Sequence, residues 1–465
     1  MNIYQHVEVL VREIDSKLLL AILAAARGHQ VLLSDVEILE KGIKRGILAP
    51  GIFHTKSLTP SESKIARHQA IIDKGSLISS MDEEGGLVEK GYENDAKFRF
   101  SDQSIEQASA IFGWGPEDIE TLSKVYSKYS SKMHKTGSPR VDLWRSSFSN
   151  YWDISNLAPK KPFLLAVSHM SHANYVAPFH NIISASRKSG RIKRDPNWFS
   201  KKFGMAAEHH LAIAAFIEAI EYFSKFNNDY DIVLRPHPTE SVYSWKVFLE
   251  GIPNVHVIRE GSVTAWVNMS FAVMHNGCTT GLEAIVSDKP LITYLPFKQD
   301  YGNEISTGLG YRVETKEVLL STVNQIFQSL KIDSKSELEN LLSDKKKVFK
   351  KIFLDENELS AKKIIKVWES LANNDNKLSQ PNNWIKFKIF LIVMKFKGII
   401  GRLLNKIFPK NFSQVGLKKD NFKFPPLDQN DIIARINRLR DILGIKEKID
   451  CKFLSDKTIL IKRCR

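Results

Sequence analysis

The sequence predicts an α/β protein made of two Rossmann-like domains that face a cleft, followed by a basic helical tail. In both halves of the chain, short apolar runs typical of buried parallel strands end in polar loops and lead into helical segments. The length of 465 residues is too great for one hydrophobic core. The charge is uneven, because residues 380–465 hold 20 Lys and Arg against 7 Asp and Glu, a net of +13 that leaves +2 for residues 1–379.

The first domain opens with a βαβ unit. Residues 3–11 have a strand pattern, residues 18–26 form an apolar helical run, and residues 31–34 form the next strand. No G-x-G-x-x-G follows the first strand, so a dinucleotide site is only weakly indicated. Arg12 and Lys17 fall in a predicted turn at the strand's carboxyl end, where they are either candidate cleft residues or solvated turn charges.

Other strand-end loops of this domain add candidate cleft residues. His54 and Lys56 lie at the centre of a loop punctuated by Gly and Pro, and Arg140 lies in a later loop that follows a further strand. Loops at the carboxyl ends of parallel strands carry the ligand contacts in this fold class. The three side chains are therefore candidate cleft residues.

A cluster of carboxylates follows the strand predicted at residues 76–80. Asp82, Glu83 and Glu84 stand at the mouth of this strand, before two glycines. Crowded carboxylates hold one another's protons, so one of them could act as a base near neutral pH. We predict that Asp82 or Glu83 is catalytic, and we interpret Glu84 as a solvated turn residue.

The second domain opens with the strand pattern of residues 163–168 and a polar loop in which His169 is a candidate cleft residue. Residues 232–234 form a second buried strand, which ends at a run that contains Arg235 and His237. Both side chains would then lie at the carboxyl end of a parallel strand. Two cations on one loop predict a site for an anionic group.

A third strand of this domain leads into a polar run that opens a helix. Asn276 follows the strand, and Thr279 and Thr280 would cap the helix with hydroxyls beside free backbone N–H groups. Glu283 lies one helical turn after Thr279 on the same face. With the preceding loop, this run suits a ligand that has phosphate at one end and hydroxyls at the other, such as a nucleotide-sugar. The alternative is an ordinary helix cap beside a satisfied loop histidine.

Cysteine usage and motif spacing argue against several other classes of site. The three cysteines are odd in number and widely spaced, so neither a disulfide framework nor a zinc cluster is predicted. No metal-ligand spacing and no Walker A motif appear, so we expect no tightly bound cofactor and leave open whether Mg²⁺ arrives with a donor. The first residues contain no signal-peptide core, which predicts a protein of the cytoplasmic side.

The tail after a polar linker has the composition of an interfacial helix. Trp384–Phe408 mixes aromatic and apolar residues with six cations and no acid. Its longest charge-free run, residues 389–394, is too short to span a bilayer, which needs about 20 residues. We predict that it lies on anionic lipid; the alternatives are a helix docked on the protein and nucleic-acid binding, which no known motif supports. The cations are Lys386, Lys388, Lys395, Lys397, Arg402 and Lys406.

These patterns predict four segments. Residues 1–157 form an acceptor-side Rossmann-like domain, and residues 158–372 form a nucleotide-sugar-binding one. Residues 373–383 are a linker, and residues 384–465 are a basic, amphipathic, membrane-associating tail.

Six motifs in one order resemble the bacterial surface carbohydrate biosynthesis protein family. The resemblance covers about two thirds of the chain. It implies a GT-B-like glycosyltransferase of capsule or lipopolysaccharide assembly, similar in its second domain to bacterial sialyl- and Kdo-transferases. The motifs are VREIDSKLLLA (11–21), APGIFHTKS (49–57), DEEG (82–85), TGSPRVD (136–142), RPHPTE (235–240) and NGCTTGLEA (276–284).

The resemblance also implies a donor site. His237-Pro238 and the threonine pair match family positions that hold the phosphate of a CMP-activated sugar. Arg235 would then help to neutralise that phosphate, and Glu283 would take a ribose hydroxyl. The implied reaction moves a CMP-linked ulosonate, such as Kdo or a sialic-acid-like nonulosonate, onto a surface polysaccharide or lipopolysaccharide precursor. The catalytic roles of Asp82 and Glu83 rest on the residues alone.

The implied acceptor is a lipid-linked glycan, which would bring the enzyme to the inner face of the bacterial inner membrane as a peripheral protein. Two alternatives remain at this stage. A sugar-nucleotide epimerase has the same architecture but leaves the basic tail unexplained, and a non-catalytic scaffold would serve a polysaccharide assembly complex. No nucleic-acid partner is predicted.

Overall fold

The computed structural model describes residues 1–83, 92–188, 190–301, 304–329, 335–373, 376–407 and 424–464. These residues form two compact units, each with its own sheet: unit 1 is Met1–Leu143 with Phe349–Arg465, and unit 2 is Trp144–Val348. Both sheets consist mainly of parallel strands with helices in the crossovers. The predicted α/β class with two Rossmann-like domains is confirmed.

The described elements carry the following bounds. The strands are β1 (Asn2–His6), β2 (Gln30–Ser34), β3 (Ile52–Thr55), β4 (Leu77–Met81), β5 (Ala108–Gly113), β6 (Met133–Lys135), β7 (Phe163–Val167), β8 (Asp231–Arg235), β9 (Val255–Val257), β10 (Ala272–His275), β11 (Leu291–Tyr294), β12 (Tyr311–Val313), β13 (Ile449–Ser455) and β14 (Thr458–Arg463). The helices are α1 (Leu10–Ala26), α2 (Val36–Lys44), α3 (Glu62–Ile72), α4 (Tyr92–Arg99), α5 (Asp102–Glu106), α6 (Pro116–Val125), α7 (Pro139–Asp142), α8 (His180–Lys188), α9 (Arg191–Arg194), α10 (Trp198–Phe226), α11 (Val242–Phe248), α12 (Val263–Met269), α13 (Thr280–Val286), α14 (Glu304–Thr307), α15 (Lys316–Ser329), α16 (Lys335–Lys351), α17 (Ser360–Asn373), α18 (Trp384–Ile407) and α19 (Gln429–Leu443).

The sheet of unit 1 has the strand order β13-β14-β2-β1-β3-β4-β5-β6. The strands β1 to β6 are parallel, and β14 pairs with β2 in the antiparallel direction, with β13 beyond it. The chain moves from β1 to β2 on one side and then crosses to β3 on the other. The carboxyl ends of β1 and β3 therefore form the topological switch point at which such sheets bind ligands.

The tail is not a separate segment, which corrects the predicted division at 384–465. The antiparallel strand β14 continues the sheet of unit 1 and buries Ile459, Leu460 and Ile461. These three consecutive apolar residues cover an otherwise open sheet edge, and the basic composition of the tail conceals this run in the sequence. Residues 408–423, including Phe408, lie outside the described residues.

The predicted basic helix is present as α18, and one of its faces packs on unit 1. Phe387, Phe390 and Leu391 join the core cluster that contains Tyr4 and Phe53. The predicted linker is also anchored, because Asn382 Oδ1 accepts hydrogen bonds from the Tyr4 hydroxyl at 3.0 Å and from Ala49 N–H at 2.8 Å. The side chains of Lys397, Arg402 and Lys406 lie outside the described part of the chain.

The predicted boundary at residue 372 also moves, because α17 belongs to unit 1. The buried carboxylate of Asp142 accepts hydrogen bonds from Ser360 N–H, Ser360 Oγ and Ala361 N–H, each at 3.0 Å, so it satisfies the open start of α17. The same helix packs against α1. A contact between residues so far apart in sequence, such as Asp142 and Ser360, produces no local sequence pattern from which it could be predicted.

The sheet of unit 2 has the order β12-β11-β10-β7-β8-β9, and all of its strands are parallel. The chain moves from β7 to β8 on one side, and β10 pairs on the other side of β7. The switch point of this sheet therefore lies between the carboxyl ends of β7 and β10. The helix α10 is long and apolar enough to cross a membrane, yet Phe216, Ile220 and Phe223 are fully buried in the core of unit 2.

Candidate functional site

The switch point of unit 1 carries a network of charged side chains. An ion pair of 2.7 Å joins Lys56 Nζ, after β3, to Glu8 Oε2, after β1. Glu13 is buried on α1, and its carboxylate accepts the N–H groups of Glu8 at 2.9 Å and Val9 at 3.1 Å. Burial raises the pKa of Glu13, although the charge of Lys17 opposes this effect. Of these residues, the two lysines were predicted from the sequence, and the two glutamates were not.

Arg12 and Lys17 lie within α1 and not in a turn, which corrects the predicted start of this helix. Glu13 satisfies backbone donors just before the helix, and this contact explains the early start. Lys17 is 1% exposed, and its Nζ donates to Glu83 Oε1 at 3.2 Å. Lys17 is therefore a buried partner of a predicted catalytic residue, whereas Arg12 is partly exposed on the first turn of α1.

The two predicted catalytic carboxylates have different surroundings. Arg99 donates to both carboxylate oxygens of Asp82, and Trp114 Nε1 donates to the backbone carbonyl of Asp82 at 2.7 Å. This two-pronged guanidinium contact fixes the orientation of the carboxylate. Glu83 has one lysine contact and lies at the strand mouth. The geometry thus favours Glu83 over Asp82 as a base. Glu84 lies outside the described residues.

His54 is a core histidine, not a cleft residue, which corrects that prediction. Trp368 Nε1 donates to Ser79 Oγ at 3.0 Å, and the same hydroxyl lies 3.0 Å from His54 Nδ1. The rings of His54 and Trp368 meet edge to face at 5.2 Å. Burial lowers the pKa of His54 well below its usual value, so the ring is neutral at pH 7. Arg140, another predicted cleft residue, is half-buried in the short helix α7.

The carboxyl edge of the unit 2 sheet brings histidines together, at the neighbouring strands β7 and β8. His169 follows β7, His237 follows β8, and their ring centroids are 5.2 Å apart. The Nδ1 of His237 lies 2.8 Å from Thr239 Oγ1 and accepts Thr239 N–H at 3.3 Å. Because Nδ1 accepts a hydrogen bond, the neutral ring carries its proton on Nε2. Both histidines therefore lie at the carboxyl edge of the sheet, and their role in ligand binding stays a prediction.

Glu240 holds the loop that carries His169, a role that was not predicted from the sequence. Its buried carboxylate accepts Ser168 Oγ at 2.7 Å, Met170 N–H at 2.6 Å and Trp245 Nε1 at 2.7 Å. Three donors on one carboxylate compensate for its burial, which by itself raises the pKa of Glu240. Glu240, which follows β8, thus fixes the position of the loop after β7.

Arg235 has a structural role, which corrects its predicted contact with phosphate. Its guanidinium donates to the carbonyl oxygens of Glu260 at 2.7 Å, Arg259 at 3.2 Å and Gly261 at 2.9 Å. The cation also lies 5.5 Å from the ring centroid of Trp266. Burial lowers the pKa of Arg235 to about 10, so the group stays charged and ties β8 to the turn after β9.

The run after β10 is confirmed as the start of a helix, but its side chains lie deeper than predicted. Thr279 is partly exposed and makes no side-chain cap hydrogen bond, whereas Thr280 is buried. Glu283 is 1% exposed, so the predicted ribose contact does not fit this arrangement. Asn276 is 6% exposed, and its Oδ1 has no hydrogen-bond partner among the described residues. An unpartnered buried oxygen at the switch point favours a ligand donor there.

Two further histidines and a lysine extend the group. His172 lies on the loop after β7, and His209 and Lys202 lie on α10. The ring centroids of His172 and His209 are 5.1 Å apart, and those of His169 and His209 are 6.1 Å apart. These residues of α10 were not predicted from the sequence, because a histidine pair such as His209-His210 within an apolar helix usually lies on the protein surface without a function. The described residues contain no cluster with the geometry of a metal site.

Solved structures with an overall likeness to this chain include three bacterial proteins. A Listeria monocytogenes protein described as a UDP-N-acetylglucosamine 2-epimerase shows 13% identity and a TM-score of 0.49, over 81% of this chain and 98% of its own. The S. aureus MnaA–UDP structure shows 12% identity, a TM-score of 0.46 and coverages of 82% and 98%. A Rickettsia africae glycosyltransferase shows 13% identity, a TM-score of 0.45 and coverages of 80% and 99%.

These similarities are too distant to carry a conclusion about activity. No protein-family model matches the sequence, and no curated protein matches it either. The resemblance to surface carbohydrate biosynthesis proteins therefore remains a prediction based on its six motifs.

Proposed function

We propose that the protein is a glycosyltransferase that uses a nucleotide-activated sugar. The observation that carries this proposal is the pair of imidazoles, His169 and His237, at the carboxyl ends of the adjacent strands β7 and β8. Parallel sheets bind ligands at this edge. Imidazole N–H groups suit phosphate oxygens, and the buried Oδ1 of Asn276 suits a hydroxyl or amino donor on the same ligand.

The chemistry of a nucleotide-sugar explains why hydrogen-bond donors at this edge matter. In glycosyl transfer from a nucleotide-sugar, the leaving group is a phosphate that gains negative charge as the glycosidic bond breaks. Hydrogen-bond donors that are already oriented towards that charge lower the barrier. His237, with its proton on Nε2, is placed for this role, and Thr279 adds a partly exposed hydroxyl. The resemblance favours a CMP-linked ulosonate as the donor.

Glu83 is the base that we propose for the acceptor hydroxyl. A general base must be ionised and within reach of the attacking group. Lys17 Nζ donates to Glu83 Oε1 at 3.2 Å, and the Glu83 side chain is nevertheless partly open to solvent, at 12% exposure. Asp82 is not proposed, because its two oxygens are both held by Arg99.

We expect the change His237→Ala to weaken nucleotide binding about 10- to 100-fold, since it removes about 1.5–3 kcal/mol of charge-assisted hydrogen bonding. Folding should persist because the ring is only partly buried. Calorimetric titration with CMP, CDP, UDP and GDP measures the effect and also identifies the donor class. The matched control is His180→Ala, an exposed histidine on α8. Equal affinities of the two variants would refute the assignment of this site.

An assay of the reaction distinguishes the proposed glycosyltransferase from an epimerase and from a non-catalytic scaffold. The purified protein, given a donor sugar and a lipid-linked glycan, should transfer the sugar and release the nucleotide. Interconversion of two nucleotide-sugars without any acceptor would contradict the proposal in favour of an epimerase. Nucleotide binding without turnover of any donor would favour a scaffold.

We further propose that the protein is peripheral on an anionic membrane, at the inner face of the bacterial inner membrane. On α18, the face opposite to the buried one shows a second apolar stripe of five side chains, each between 42% and 75% exposed. Their spacing places them on one helix face. Lys386, Lys388 and Lys395 are exposed on the same helix, which contains no acid. The stripe consists of Ile385, Ile389, Ile392, Val393 and Phe396.

The change Ile389→Glu combined with Phe396→Glu should reduce binding to vesicles that contain phosphatidylglycerol by about tenfold or more. Each fully buried apolar side chain of this size contributes about 1.5–3 kcal/mol, and anionic lipid repels the new charges. Folding should be unchanged, because both side chains are exposed. Ile433→Glu, an exposed isoleucine on α19 of the same unit, is the control. Sedimentation of all three proteins to the same extent would argue against the stripe as a lipid contact.

A further inference from the structure

Lys202 on α10 is a half-buried cation with no carboxylate partner among the described residues. Its Nζ contacts His172 Nε2 at 3.2 Å and Met205 Sδ at 3.5 Å. Burial, together with the neighbouring charge of Arg191, lowers the pKa of Lys202. The adjacent Lys201 provides a contrast, because it is exposed and pairs with Asp195 at 3.1 Å. Burial and a second nearby cation make an anionic partner favourable for Lys202, and no carboxylate among the described residues provides one.

The hydrogen bonds around Lys202 determine which nitrogen of each neighbouring imidazole is a donor. An ammonium only donates, so His172 Nε2 accepts and the neutral ring carries its proton on Nδ1. That Nδ1 is buried and has no partner among the described residues. The backbone N–H of His172 donates to His209 Nδ1 at 3.1 Å, so neutral His209 carries its proton on Nε2. Both rings are neutral at pH 7, because burial and the nearby charges lower the pKa of His172 to about 4 and of His209 to about 3.

The two neighbouring glutamates, Glu208 and Glu240, are engaged with other groups and do not provide a counter-ion for Lys202. Glu208, next to His209, accepts the N–H groups of Asp300 at 2.7 Å and Tyr301 at 3.3 Å. Glu240 is occupied by three donors on the other side of the loop. The group therefore consists of donors only: one ammonium and the N–H groups of two imidazoles. A tetrahedral anion with several acceptor oxygens satisfies such a set.

The group is continuous with the proposed donor site. The ring of His209 lies 6.1 Å from that of His169, which in turn lies 5.2 Å from His237. The spacing suits two anionic groups side by side, one near His169 and His237 and the next near Lys202 and His209.

We propose that Lys202 and His209, with His172 orienting the ammonium, form a second phosphate subsite beside the first. This inference rests on the proposed function, because it takes the His169–His237 edge as the first phosphate site. The second phosphate belongs either to a lipid phosphate on the acceptor or to the donor, which would then be a nucleoside diphosphate sugar in place of the CMP-linked donor that the resemblance favours. The chemistry that Lys202 and His209 recognise is the same in both cases.

Two substitutions test the subsite in the full-length protein. Lys202→Met keeps the length of the side chain without its charge, and His209→Phe keeps the ring without its N–H. Their controls are the neighbouring Lys201→Met and His210→Phe, at exposed positions of the same helix. Calorimetric titrations use inorganic pyrophosphate, CMP, CDP, UDP and farnesyl phosphate, and far-ultraviolet circular dichroism confirms that each variant is folded.

A donor phosphate at the subsite predicts that Lys202→Met and His209→Phe weaken binding of CDP or UDP and of pyrophosphate by about tenfold, and binding of CMP by less than about twofold. A lipid phosphate predicts a loss of similar size for farnesyl phosphate alone. Variants that bind every probe as tightly as their controls would overturn the proposal, as would a wild-type protein that binds none of the probes. Pyrophosphate binding that depends on Lys202 without any nucleotide binding would refute the proposed function and leave the subsite in place.

Discussion

Removal of residues 380–465 should prevent unit 1 from folding. The deletion takes away β14, which covers the edge of β2, and the buried face of α18. At least six buried apolar side chains are lost, each contributing about 1.5–3 kcal/mol, and the sum is comparable with the whole stability of a domain, about 5–15 kcal/mol. Circular dichroism and limited proteolysis of the truncated chain measure the outcome. The six are Phe387, Phe390, Leu391, Ile459, Leu460 and Ile461.

A single substitution gives a milder form of the same experiment. Leu460→Asp places a charge in the core of unit 1, whereas Arg463→Asp changes an exposed position on the same strand. Only the first should lower the midpoint of unfolding strongly. A truncated protein that stays soluble and unfolds cooperatively with all of its sheet would contradict the structural role of the tail. It would also restore the simpler view of the tail as a detachable membrane anchor.

The change Glu83→Gln should lower turnover by about 100-fold and leave donor affinity unchanged. The substitution keeps the shape of the side chain and removes the basic oxygen, and general base catalysis contributes about 10²–10⁴-fold. Steady-state rates with a lipid-linked acceptor, together with nucleotide titration, separate the two effects.

Asp82→Asn is the informative companion of this variant. It disrupts the contact with Arg99, so its main effect should be a loss of about 1–3 kcal/mol in the free energy of unfolding of unit 1, seen in denaturant titration. Turnover per folded molecule should stay within a few-fold of wild type. Full activity of Glu83→Gln would exclude this residue as the base, and a selective loss of turnover in Asp82→Asn would transfer the role to Asp82.

The sequence was informative wherever a local pattern determines the structure. Apolar runs such as residues 163–167 and 232–234 gave strands, and the polar residues after them gave the positions of His169 and His237. These predictions succeed because strand burial and the carboxyl-end rule depend on neighbours in sequence. The start of α1 was missed, because the contact between Glu13 and the N–H groups before the helix replaces an ordinary cap residue.

Side-chain roles that depend on distant partners were beyond the sequence. Arg235 carries the same charge whether it meets a phosphate or three backbone carbonyls, and only the fold shows that the carbonyls surround it. Lys201 and Lys202 are adjacent and chemically identical, yet Lys201 pairs with a carboxylate and Lys202 pairs with none in the part of the chain that the structure describes. The tail was predicted to be a separate segment for a related reason. A helix with two apolar faces, such as α18, has the same composition whether it covers a core, a bilayer or both.

The placement of β14 beside β2 has a consequence for biosynthesis. Unit 2 is a continuous stretch of chain, and its residues are complete once Val348 has left the ribosome. Unit 1 starts earlier but finishes later, because its sheet waits for residues 458–463 to be translated. The domain that is translated first is therefore the one that matures last, and until then its uncovered β2 edge is a site for chaperone capture or for mispairing between nascent chains.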